Sequence, residues 1–103
     1  CSSFPTGSTW EFESKDMNNE LDLKVKLTFV DDEKVIYHTV IVQNGKVTLD
    51  KKNTTEYIIE NDNIKIYNKE TKEWEEGKWQ LKDDNLLFTA KENDKTIVYK
   101  KVK

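Results

Sequence analysis

Leu21, Leu23, Val25, Leu27 and Phe29 occupy every second position, with Asp22, Lys24, Lys26 and Thr28 between them. A strand points successive side chains to opposite faces, so this run predicts a strand with one buried and one wet face. A helix would scatter the same residues around its whole circumference. The pattern recurs along the chain. Trp10 and Phe12 alternate with Thr9, Glu11 and Glu13, while Val35–Val42 is apolar on both faces and reads as a central strand or one whose outer face is covered.

The turns are equally regular. Asn44-Gly45 is a strong hairpin signal and introduces Lys46–Lys51, where Val47 and Leu49 share a face. A polar break at 50–53 precedes Thr54–Glu60, with Tyr57 and Ile59 opposite Ile58. Asn61-Asp62-Asn63 turns the chain into Ile64–Tyr67. The polar stretch 68–73 reads as a turn leading into a strand through Trp74, Trp79 and Leu81, with Gly77 as a bulge that lets both tryptophans face one way. Leu86–Ala90 and Thr96–Val102 complete the series. Eight or nine short strands joined by short polar turns predict an all-β fold, a single antiparallel up-and-down meander closing into a small or partly open barrel. Loops 14–20, 43–45, 60–63 and 82–85 are then expected at one end. The other end takes 31–33, 50–53, 68–73, 92–95 and the start of the first strand.

Composition narrows what this fold can do. The 103 residues fit one domain, and three Trp, four Tyr and four Phe set the chain apart from disordered sequences despite 36% charged residues. All 17 basic residues are Lys and the net charge is −3, so neither the counterion release nor the guanidinium forks that nucleic-acid binding uses are available. No apolar run reaches the roughly 18–20 residues of a membrane helix.

Candidate chemistry is sparse. His38 is the only histidine and Cys1 the only cysteine, so an internal disulfide and a transition-metal site are not expected. Serines stand only at positions 2, 3, 8 and 14, which leaves no Ser-His-Asp arrangement. Asp31, Asp32, Glu33, Asp83, Asp84, Glu92 and Asp94 sit in predicted turns, where carboxylates cap backbone amides. The expectation is a protein without catalysis, metal or cofactor. Trp10, Trp79 and Phe88 share register with apolar neighbours and read as core. Tyr37, Tyr57, Tyr67, Trp74 and Tyr99 are the candidate ligand-contacting aromatics, because Tyr and Trp at a barrel rim are favoured anchors.

Cys1-Ser2-Ser3 and the small-residue stretch to Ser8 resemble a bacterial lipoprotein after signal-peptide removal, a family whose N-terminal cysteine carries the lipid. That resemblance implies a tether over 1–8, a barrel domain over 9–103 and an extracytoplasmic monomer held to the cell membrane through Cys1. Gly7-Ser8-Thr9-Trp10 and Glu76-Gly77-Lys78-Trp79, with Asn85–Thr89, resemble the calycin or lipocalin-like group, including truncated barrels of the YxeF type. The group's Gly-x-Trp is Gly-x-x-Trp here, and Lys100 or Lys101 stands where the group has an arginine. The resemblance implies a barrel that binds a small amphipathic ligand. The alternative is an immunity or exclusion lipoprotein that binds a peptide or protein, such as a bacteriocin, phage or conjugation component. The large inward set (Trp10, Phe12, Leu21, Leu23, Leu27, Phe29, Trp79 and Phe88) predicts a mostly filled interior.

Overall fold

The structure, a computed structural model, describes residues 4–102. Cys1, and with it the expected lipid attachment, lies outside the described residues. Eight antiparallel strands follow one another around a closed barrel: β1 (Thr9–Asp16), β2 (Leu21–Phe29), β3 (Lys34–Gln43), β4 (Lys46–Glu60), β5 (Asn63–Asn68), β6 (Glu73–Lys82), β7 (Asn85–Ala90) and β8 (Thr96–Lys101). The alternation in β2 is realised as expected: Trp10, Leu27 and Tyr37 lie side by side across β1, β2 and β3 and point inward. On the outer face of β3, Ile36, Val40 and Val42 are half-buried beside Thr28, Lys24 and Asp22. Lysine stems cover such apolar surface while their ammonium groups stay in water.

Turn residues behave as their chemistry dictates. Asn44 and Gly45 both take positive φ, 53° and 78°, as a two-residue hairpin turn matched to strand twist requires. The Asp31 carboxylate accepts the amides of Glu33 and Lys34 at 2.9 and 2.8 Å, and these hydrogen bonds hold it below the usual carboxylate range.

Two expectations are corrected. Residues 50–53 are not a turn; β4 runs unbroken for 15 residues and pairs with β3 from Lys46 to Glu56, across the whole of 50–53. Their polarity reflects a strand segment wet on both faces rather than a reversal. With one turn fewer, the loops 61–62 and 83–84 fall at the same end as 30–33 and the start of β1. The turns 17–20, 44–45, 69–72 and 91–95 share the opposite end. Nor is Gly77 a bulge. β6 keeps a continuous register with both neighbours, so Trp79 points inward and Trp74 outward. Among the described residues the one register shift is between Ile41 and Val42.

The strands are unequal, and this shapes the molecule. β5, β7 and β8 have six residues each, whereas β2, β3 and β4 have nine, ten and 15. β1 meets β8 through only two register pairs, Trp10↔Lys101 and Glu11↔Lys100, and β4 meets β5 only over Tyr57–Glu60. The first four strands therefore project past the barrel as a curved flap, consistent with dimensions of 44 × 31 × 28 Å. The opposite end is plugged. The chain before β1, read as a tether, packs there from Phe4 onward: its ring lies edge-on to Phe29 at 4.6 Å and to Trp79 at 5.0 Å. Gly7 donates its amide to the Phe29 carbonyl at 2.6 Å, and Trp10 Nε1 donates to Ser8 Oγ at 2.6 Å.

Gly77 lies where β6 and β7 pass closest. A Cβ there would fall 2.6 Å from the Thr89 carbonyl oxygen and 2.7 Å from the Phe88 ring. Gly77→Ala is therefore expected to lower stability by about 1–3 kcal/mol, the usual range for overpacking a tight site. A reduced urea midpoint would show it; an unchanged or raised midpoint would contradict this packing.

A candidate ligand chamber in the barrel

The core gathers at the plugged end, where Trp10, Phe29, Val35, Tyr57 and Ile64 are buried. Toward the open end the barrel wall continues but the filling stops, leaving a chamber of about 670 Å³. Its floor is Leu27, Phe29 and Ile64, and Ile66, Leu86, Phe88 and Ile97 line its walls. Such a volume lies within the roughly 300–1,000 Å³ of small-molecule sites. The expectation of a filled interior is thus corrected. Leu21 and Leu23 face inward, but on the projecting flap, opposite Gln43 and Ile41, where they cannot plug the closed part. Gly77 and Ala90, paired across β6 and β7, add almost no side-chain volume.

A second cavity of about 320 Å³ adjoins the first and shares Tyr37, Ile66 and Glu75 with it. It occupies the gap that the short β4–β5 pairing leaves and is bordered by Leu49, Lys51 and Asn53. A Lys51–Glu70 ion pair spans this gap from β4 to the β5–β6 turn.

The five aromatics singled out in the sequence separate here. Tyr37 and Tyr99 line the chamber, Tyr37 at its junction with the second cavity. Tyr67 borders the second cavity, and its ring meets Trp74 at 5.3 Å where Trp74 stands at the mouth. Tyr57 is elsewhere: it is buried at the plugged end and donates its hydroxyl to the Asp31 carbonyl. Trp10 closes the barrel seam. Trp79 serves both purposes, since it lines the chamber and donates Nε1 to the Asn61 carbonyl at 2.9 Å. His38 points outward and pairs with Asp50 at 2.7 Å.

Sequence reasoning missed the glutamates. β6 alternation places Glu73 and Glu75 on the same side as Trp79, and both line the chamber at its mouth with Glu76 and Glu92. Asn68 Nδ2 donates to Glu75 Oε2 at 3.2 Å, and Lys91 pairs with Glu76 at 3.8 Å. Counting back in twos from Trp79 would have found Glu75 and Glu73; the bulge assumed at Gly77 hid them. No cluster of three or more His, Cys, Asp or Glu with metal-binding geometry occurs among the described residues.

Burial pushes the Tyr99 phenol up to about 12 and raises Tyr37 as well, with Tyr99 and the Glu75 carboxylate adding to the Tyr37 shift. Both groups are neutral when protonated, and their folded values exceed the ordinary value near 10. Their contribution to stability is thus complete below about pH 10 and is lost as pH rises toward the folded values. Wild type is expected to release these phenolic protons together with unfolding above pH 10, followed by tyrosinate absorbance and circular dichroism. Tyr99→Phe should remove one such proton. Ionisation of Tyr99 near pH 10 in the folded barrel would contradict the placement.

No protein-family model matches this chain, and neither a curated protein nor a solved structure matches it, so its functional reading rests on the chamber itself.

Proposed function

We propose that this protein is a non-enzymatic binding protein whose barrel holds the apolar part of a small amphipathic molecule. The observation that carries the reading is the chamber of about 670 Å³, apolar at its floor and polar at its mouth. Apolar burial supplies the affinity, at about 0.8 kcal/mol for each methylene removed from water. The neutral phenols of Tyr37 and Tyr99 supply hydrogen-bonding groups partway along it. Tyr57 hydrogen-bonds a backbone carbonyl, whereas neither of these hydroxyls has a hydrogen-bond partner among the described residues. The lipid anchor expected at Cys1 would join the plugged end, leaving the mouth directed away from the membrane.

A second reading, a peptide- or protein-binding module, is supported by the β4 edge. Over Lys46–Thr54 this strand has β3 on one side and no β5 partner on the other. A free edge of this kind is where an extended peptide can add as a further strand.

Binding of n-alkyl maltosides below their micelle concentrations tests the first reading, followed by intrinsic tryptophan fluorescence through Trp79 and Trp74. Affinity is expected to saturate at one molecule per chain and to rise about three- to fourfold with each added methylene until the chamber is full. Ala90→Trp, which fills the chamber wall, should abolish binding while circular dichroism stays native. Affinity that ignores both chain length and Ala90→Trp would contradict an interior site.

A further inference from the structure

The mouth of the chamber is unequally charged. Its lining contains four carboxylates (Glu73, Glu75, Glu76 and Glu92) and one ammonium, Lys91. Lys91 pairs with Glu76, and among the described residues no lysine lies within ion-pairing distance of Glu73, Glu75 or Glu92. The adjoining cavity is balanced, with Lys51 and Lys69 against Glu70 and Glu75, and Lys51 is engaged by Glu70. The excess negative charge is thus local to the mouth of the larger chamber, above an apolar floor.

Two further observations point to an occupant. Half-buried Tyr37 lines both cavities at their junction, close enough to Glu75 for the carboxylate charge to act on its phenol. A phenol open to the cavity offers an O–H donor and an acceptor to the polar head of a ligand or to water there. At the rim, Trp74 is 42% exposed, and the edge-to-face Tyr67 contact holds its ring in place. An indole face beside carboxylates attracts a cation through its quadrupole as well as by charge.

We propose that the chamber selects amphiphiles with a cationic head, an alkylamine or a quaternary ammonium. The head is held by Glu73, Glu75 and Glu92 beside Trp74, and the apolar tail lies toward Phe29 and Ile64. This inference rests on the reading of the barrel as an amphiphile-binding protein and adds the charge of the ligand. An anionic head would meet three uncompensated carboxylates. A neutral head would fit the chamber without gaining from them.

The test compares three decyl compounds, the trimethylammonium, the maltoside and the sulfate, each titrated below its micelle concentration at low and at high salt. At low salt the trimethylammonium compound is expected to bind about tenfold tighter than the maltoside, and the sulfate weakest. The cationic preference should shrink several-fold at about 1 M salt, where charges are screened beyond ~3 Å. In Glu73→Gln/Glu75→Gln the ratio of trimethylammonium to maltoside affinity should fall toward one. Equal or tighter binding of the sulfate, or a ratio indifferent to salt and to the double substitution, overturns the cationic assignment while leaving amphiphile binding in place. If none of the three binds, both readings fall together.

Discussion

The β1–β8 seam is the constraint on which the rest of the molecule depends. Sheets avoid exposed edges by closing, and closure here uses two register pairs, at Trp10 and Glu11. Because β8 has only six residues, the seam can form only near the start of β1. Phe12–Asp16 continue past it, paired to β2 alone. The Thr9 carbonyl accepts the Val102 amide at 2.8 Å and extends the closure by one step. Trp10 lies at this junction, 2% exposed, with its indole nitrogen satisfied by Ser8. Lys101 stands opposite it in register.

From that seam follow both ends of the barrel. At the closed end the strands are held together, and Phe4, Phe29, Tyr57 and Trp79 form an aromatic plug over the floor. At the other end the long β2–β4 strands outreach the six-residue β5, β7 and β8, and the chamber opens between them. An eight-stranded barrel is only just wide enough to hold side chains or one small ligand. The outcome here depends on where large and small residues fall: aromatics toward the plug, with Gly77 and Ala90 in the wall toward the mouth. Gly77 is itself constrained, since the Phe88 ring occupies the space its side chain would need.

Much of this was legible in the sequence because alternation is a local property. Leu21–Phe29 declares its buried face without reference to any partner, and Asn44-Gly45 declares its turn through backbone conformations that few other residue pairs adopt. The 50–53 segment was misread because a polar run looks the same in a turn and in a strand wet on both faces; only the length of β3 distinguishes them. Gly77 was misread because its reason lies on another strand, in Phe88. The chamber could not be read at all, since its volume depends on how far the seam extends. The glutamates at its mouth then passed for surface charge, although Glu73 and Glu75 share the inward register of Trp79.

The barrel is closed at one end and hollow at the other. Intermolecular nuclear Overhauser effects between methyl-labelled protein and a bound decyl chain test this arrangement most directly. Contacts are expected from the tail to the methyl groups of Ile64, Ile66, Leu86 and Ile97, which line the chamber. Contacts confined to the outer-face methyls of Ile36, Ile58 and Val98 would contradict it.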